Sequence, residues 1–144
     1  MFAIQHEEEW EQWRPGVKTR SWTGAHVGAV QIRMGEQWFE PGTGVPRHWH
    51  YCEEHITLLT SKVEVWVDDE HAIYDTPVSL IFPSQARHKF MNVGDEPMHL
   101  IGAMSSPVHE TFMVDDPPGV MWRAGDVFDP SRHQVAINVG APTR

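Results

Sequence analysis

Cysteine is almost missing from this chain: Cys52 stands alone. That excludes an internal disulfide framework and suits a reducing cytoplasm. Positive charge is scarce as well. Eleven Lys and Arg face twenty Asp and Glu, for a formal net charge of -9. Such a surface repels phosphate backbones, so nucleic acid is a poor partner. No apolar run approaches the roughly twenty residues of a membrane span. The opening MFAIQHEEEW lacks the basic-then-apolar order of a secretory signal. There is no G-x-S-x-G elbow, no glycine-rich phosphate loop and no Cys-x-x-C pair. Histidine is what the chain has in excess, with ten among its 144 residues. It is the commonest metal ligand and a common proton carrier, so the placement of these ten decides the function.

The segment HEEEWEQWR over 6–14 reads as a short helix. Acidic residues fill its first turn, Trp10 and Trp13 are spaced i, i+3, and Pro15-Gly16 ends it. The two Trp read as a docking face on the main body. From about 17 to 114 the pattern becomes β-type: about ten short runs broken by Pro, Gly, Asp and Ser. KVEVWVD over 62–68 alternates strictly, with Val63, Val65 and Val67 on one face. Runs this short, with no helical crossovers between them, indicate an all-β antiparallel sandwich or barrel. The last thirty residues carry several Pro and Gly and little periodicity. They read as an irregular tail over the barrel or a partner subunit. The expected division is a helical extension over 1–24, a barrel over 25–116 and a tail over 117–144.

Four residues carry most of the chemistry: His48, His50, Glu54 and His88. His48 and His50 are two apart, so in a strand both imidazoles project to one face. Glu54 has the same parity and opens the next β-run. His88 starts a strand just after the turn at 83–85. Three neutral imidazoles and one carboxylate form a borderline donor set, suited to Fe, Mn, Co, Ni or Zn. An octahedral ion so held keeps two adjacent positions open. Solvated side chains in a loop would explain HWHYCEEH equally well. Glu53 is a rival to Glu54, though parity with His50 favours Glu54.

These residues carry a family resemblance. GTGVPRHWHYCEE over 42–54, followed by six residues and then Ser61, resembles the first cupin motif, G-x5-H-x-H-x3,4-E-x6-G. PSQARHKFMN over 83–92 resembles the second, with His88 and Asn92 at its His and Asn. The resemblance spans about residues 25 to 105. It implies a single small β-barrel of jelly-roll type, with His48, His50, Glu54 and His88 as metal ligands. Ser61 and Gln85 replace motif glycines, and Pro77-Val78 replaces a Gly-Asp. All are turn positions, where glycine gives positive φ without steric cost. None removes a ligand. Asn92 is expected to brace a turn by hydrogen bonding.

Around the metal, the expected pocket residues are Gln31, Trp38, Cys52, Trp66, Phe90 and Met104. Arg33 is a candidate to hold a substrate carboxylate in a bidentate pair, and His99 a candidate general acid or base. His6, His26, His71, His109 and His133 read as surface histidines. The leading expectation is a metal-dependent dioxygenase, iron favoured, acting on a small chelating diketone, phenol or hydroxy acid. The alternatives are non-redox isomerase, decarboxylase or lyase chemistry, and a binding protein without turnover. A homodimer is expected by analogy with the fold.

Overall fold

The computed structural model describes residues 3–4, 10–115 and 121–123. The chain order is β1 (Glu11–Arg14), β2 (Val17–Thr23), a single 3-10 turn (Ala25–Val27), β3 (Arg33–Phe39), β4 (Gly44–Trp49), β5 (Glu54–Leu58) and β6 (Lys62–Val67). Then follow β7 (Glu70–Asp75), β8 (Val78–Phe82), β9 (His88–Asn92), β10 (Met98–Met104), β11 (Glu110–Met113) and β12 (Met121–Arg123). One sheet runs β1-β2-β3-β10-β5-β8 and the other β12-β11-β4-β9-β6-β7. The sheets share no strand, so the closed barrel expected from the sequence is instead a two-sheet sandwich. Among the described residues the outermost strands are β1 and β8 in the first sheet and β12 and β7 in the second.

The alternation in β6 works as the sequence indicates. Val63 and Val65 are buried, while Trp66 faces outward. Against them pack Phe39, Val45, Ile56, Leu58, Phe82 and Phe90 from both sheets. This core fills one end of the sandwich, and polar side chains occupy the other.

The N-terminal helix is not formed in the described residues. Residues 11–14 pair antiparallel with β2. Trp13, at 6% exposure, enters the core, and Trp10 lies against the Arg20 guanidinium at 4.4 Å. Residues three apart lie on opposite faces of a strand, so one spacing served two structures, and core burial of one indole decided between them. Residues 5–9 lie outside the described region. So does the expected tail, apart from β12.

Two turns follow the glycine substitutions in the sequence. Ser61 has φ 73° and Gln85 φ 67°. Both keep the left-handed backbone the motif needs, without glycine's freedom.

Candidate metal centre

His48 comes from the end of β4 and His50 from the residue just after it, His88 from the start of β9, and Glu54 from the start of β5 in the opposite sheet. The register places His48 directly against His88, and Val45 against Phe90. Three steps along β4 therefore match two along β9. This is a bulge at Pro46-Arg47, where proline has no N–H to give the ladder. The bulge lets both Val45 and His48 point inward.

The three imidazoles are fixed by backbone carbonyls. Nδ1–H of His48 donates to the Pro46 carbonyl at 2.8 Å, that of His50 to Glu110 at 2.7 Å and that of His88 to Ala86 at 2.9 Å. Each Nε2 is thereby left as an acceptor facing inward. Glu54 Oε2 lies 3.0 Å from His88 Nε2 and 3.4 Å from His50 Nε2. One ligand atom from each of the four residues falls within 4.8 Å of the others. His50 Nε2 is buried and makes no hydrogen bond.

Charge states agree with this geometry. Burial, reinforced by His88 and His50, holds the His48 pKa well below the ordinary histidine value, so the ring is neutral. Burial pushes the Glu54 carboxyl up, but His50 and His88 outweigh it and bring it well below the usual carboxylate range. A proton on Nε2 of His50 or His88, or a metal cation in its place, is what lets these rings lie against the half-buried Glu54 carboxylate. The donor set therefore fits a divalent transition ion.

The surrounding residues divide cleanly. Phe90 and Met104 are buried beside the cluster, at 2% and 3% exposure. Arg33 is buried too, on the inward face of β3. Cys52 sits half-buried in the loop between β4 and β5, its thiol pushed up by burial and by Glu54 and so kept protonated. Four expectations are corrected. Gln31 is exposed in the loop before β3. Trp38 and His99 stack on each other, ring centroids 4.2 Å apart, on the outer face of their sheet. Trp66 lies on the outer face of the other sheet, between His71 and Lys89. Trp38, His99 and Trp66 have the strand parity opposite to the core residues beside them, which the sequence already contained, while Gln31 precedes the strand altogether.

His109 was read as a surface residue. It instead lines the interior between Arg33, Glu54 and His50, with its ring centroid 5.5 Å from His50. Thr111 Oγ1 lies 2.9 Å from its Nε2. Burial, then Arg33 and His50, hold its pKa well below the ordinary value, so it too is neutral. The missed signal was parity: His109 is in step with Thr111 and Met113, both 2% exposed.

His99 belongs to a different network. Its Nε2 meets Glu36 Oε2 at 2.8 Å, while Glu36 Oε1 accepts from Arg20 Nε at 2.9 Å and Trp22 Nε1 at 3.0 Å. Glu36 is 6% exposed, although it points away from the core. Burial pushes its pKa up, but the hydrogen bonds from Arg20, His99 and Trp22 outweigh that and leave it below the usual value. A depressed carboxylate contributes stability above its unfolded pKa of about 4.3, and that stability is lost as pH falls through the folded value. Glu36→Gln is expected to cost about 2 kcal/mol at neutral pH and to flatten the acid limb of the stability curve. Denaturant melts at several pH values check this. An acid limb as steep as wild type would show that Glu36 does not carry it.

Comparison with known proteins bears on this geometry. The family described as "Cupin domain" matches residues 35–104, the stretch that supplies all four donors. These residues are a cupin domain. "Polyketide synthase CurC" from Streptomyces cyaneus is 33% identical over 84 residues, 58% of this chain and 54% of that protein. The chain spans little more than half the length of the curated relatives it matches. Among solved structures, the polyketide cyclase RemF from Streptomyces resistomycificus superposes with TM-score 0.62 at 17% identity, covering 72% of this chain and 79% of that one. Recombinant oxalate oxidase in complex with glycolate gives the same TM-score and identity, covering 72% and 60%. At such identity these two structures establish the cupin fold alone. No helix among the described residues is long and apolar enough to cross a membrane.

Proposed function

We propose that the chain is a metal-dependent cupin enzyme acting on a small, oxygen-rich chelating substrate, an enolisable β-dicarbonyl or phenol of polyketide type. The convergence of three carbonyl-fixed imidazoles on one carboxylate carries this reading. His48, His50, Glu54 and His88 would hold one divalent ion, iron favoured, with Mn, Co, Ni or Zn fitting the same donors. Such an ion supplies Lewis acidity to a carbonyl or enol oxygen and, if redox-active, access to dioxygen chemistry.

The chain's own residues do the rest. Phe90, Val45 and Met104 wall the site with apolar surface and limit water. The carbonyls of Pro46, Ala86 and Glu110 hold the ligand rings in one tautomer. The cavities beside the donors are only about 20 and 30 Å³. They admit the oxygen-bearing head of a substrate and leave its body outside.

Non-redox enolisation or ring closure is the first reaction class, because the names of CurC and RemF are polyketide names and closure of such a chain needs no oxidant. Dioxygenation is the second, favoured by a donor set that suits ferrous iron. A homodimer and a cytoplasmic setting belong to the same proposal. The test begins with elemental analysis of untagged protein. Protein loaded with each ion is then given a β-diketone with and without dioxygen. The expected result is faster deuterium exchange at the carbon between the carbonyls, equal in both atmospheres. Dioxygen uptake matching substrate loss would transfer the assignment to a dioxygenase. No chemical change with any of the five ions would leave a binding protein and overturn the enzyme reading.

A further inference from the structure

Arg33 has no role in holding the metal. Its Cα partner on β10 is Met104, and the partner of Met104 on β5 is Glu54. The three side chains form one inward row across β3, β10 and β5, with the cation at one end and the metal-site carboxylate at the other. Arg33 is 8% exposed, and its buried Nε has no hydrogen-bond partner. Among the described residues no carboxylate lies within salt-bridge distance of the guanidinium. Arginine stays protonated inside proteins, and a buried unpaired cation is costly. Glu54 and then Glu11 attract it from a distance, but neither pairs with it directly and the Glu54 carboxylate is turned to His50 and His88.

Beside Arg33 lies the cavity of about 30 Å³, lined also by Glu54, Met104, His109, Gly35 and Gly102. Gly102 has the inward parity of Leu100 and Met104. The nearest atoms to a Cβ built there are of Leu100, Ile56 and the His55 carbonyl, at 3.6 to 3.8 Å, which is ordinary contact. The backbone therefore does not demand glycine at 102. Its missing side chain leaves the cavity floor open next to the guanidinium. On this measure one water takes about 10–15 Å³, so the space holds about two water-sized spheres, matching the two oxygens of a carboxylate head.

We infer that Arg33 is the anchor for a carboxylate on the ligand, so that the interior site takes a small anionic molecule in preference to its neutral counterpart. The inference builds on the reading above by supplying the substrate's charge class, with the anchored oxygens beside the metal-bound ones. The anchor itself can be tested with or without the ion. A guanidinium offers a bidentate, charge-assisted pair that neither an ammonium nor an amide reproduces.

The test is calorimetric titration of acetate and of acetamide into wild type, Arg33→Gln, Arg33→Lys and Gly102→Val. Each is run at fixed ionic strength, with and without added zinc, and zinc content is measured throughout. Wild type is expected to bind acetate and not acetamide. Arg33→Gln should weaken acetate by about tenfold or more at unchanged zinc content, with Arg33→Lys between the two. Gly102→Val should weaken acetate by filling the floor, with a cooperative melt retained. Equal acetate affinity in wild type and Arg33→Gln, or no preference for acetate over acetamide, would overturn the anchor. Should Arg33→Gln fail to fold, Gly102→Val and Arg33→Lys decide alone. Failure of wild type to bind any transition ion would sink the metal reading instead, and the zinc-free titrations would still judge Arg33.

Discussion

Protein carrying His88→Ala is expected to retain less than about a tenth of the wild-type metal after dialysis, and to lose turnover with it. Loss of a partner that merely orients a ligand typically costs 10–100-fold in metal affinity, so loss of a ligand costs more. His88 is 1% exposed, faces His48 in register and lies 3.0 Å from the Glu54 carboxylate. Its ring packs flat on Phe82 with centroids 4.0 Å apart, which fixes its position in the donor set. The sandwich should survive. β9 pairs with β4 on one side and β6 on the other, and the lost packing is worth about 2 kcal/mol. Elemental analysis paired with circular dichroism checks both halves. Full occupancy in this variant and in His48→Ala would place the ion elsewhere.

The largest stability effect is expected at Asn92, which has no exposure at all. Its Nδ2 donates to the Phe39 carbonyl at 3.0 Å and the Glu96 carbonyl at 2.8 Å. Its Oδ1 accepts from Ser61 Oγ at 2.6 Å and from the Gly94 N–H at 3.0 Å. One amide thus ties β3, the turn before β6 and the turn after β9. Alanine here strands buried polar groups on several segments at once. We expect a loss of about 3 kcal/mol, or roughly 10 °C in melting temperature for a chain of this size. Asn92→Asp should do no better than alanine, since its second oxygen would face the Phe39 and Glu96 carbonyls with no proton to donate. A change in the melt of only a degree or two would mean that water replaces the amide without penalty.

The sequence showed the donors chiefly through the resemblance of its two histidine stretches to the cupin motifs, with parity as support, since Glu54 opens a strand of the opposite sheet. His48, His50 and Glu54 lie at even spacing, and a half-buried strand has only two faces. Asn92 was legible for a related reason: one side chain with two donors and an acceptor oxygen at a turn has a recognisable use. The same rule, applied more strictly, would have placed Trp38, Trp66 and His99 outside and His109 inside. Aromatic character suggested a pocket wall for the two Trp, but the outer faces also hold stacked aromatics where charged neighbours cover them. The β1 strand was hidden because two Trp at i, i+3 suit a helix and a strand equally. The bulge at Pro46 was hidden because nothing local says that β4 must step once more than β9. The unpaired state of Arg33 lies in the space between strands, which no linear pattern reports.

The bond from His50 to the Glu110 carbonyl joins residues sixty apart in sequence. Both signature motifs end before residue 93, so this ring takes its bearing from a strand outside them. A peptide holding only the two motifs would carry every donor atom and still leave one imidazole free to spin. Ion affinity in this fold is therefore inherited in part from its last inner strand, and trimming the chain ahead of β11 would blunt the grip without deleting a ligand.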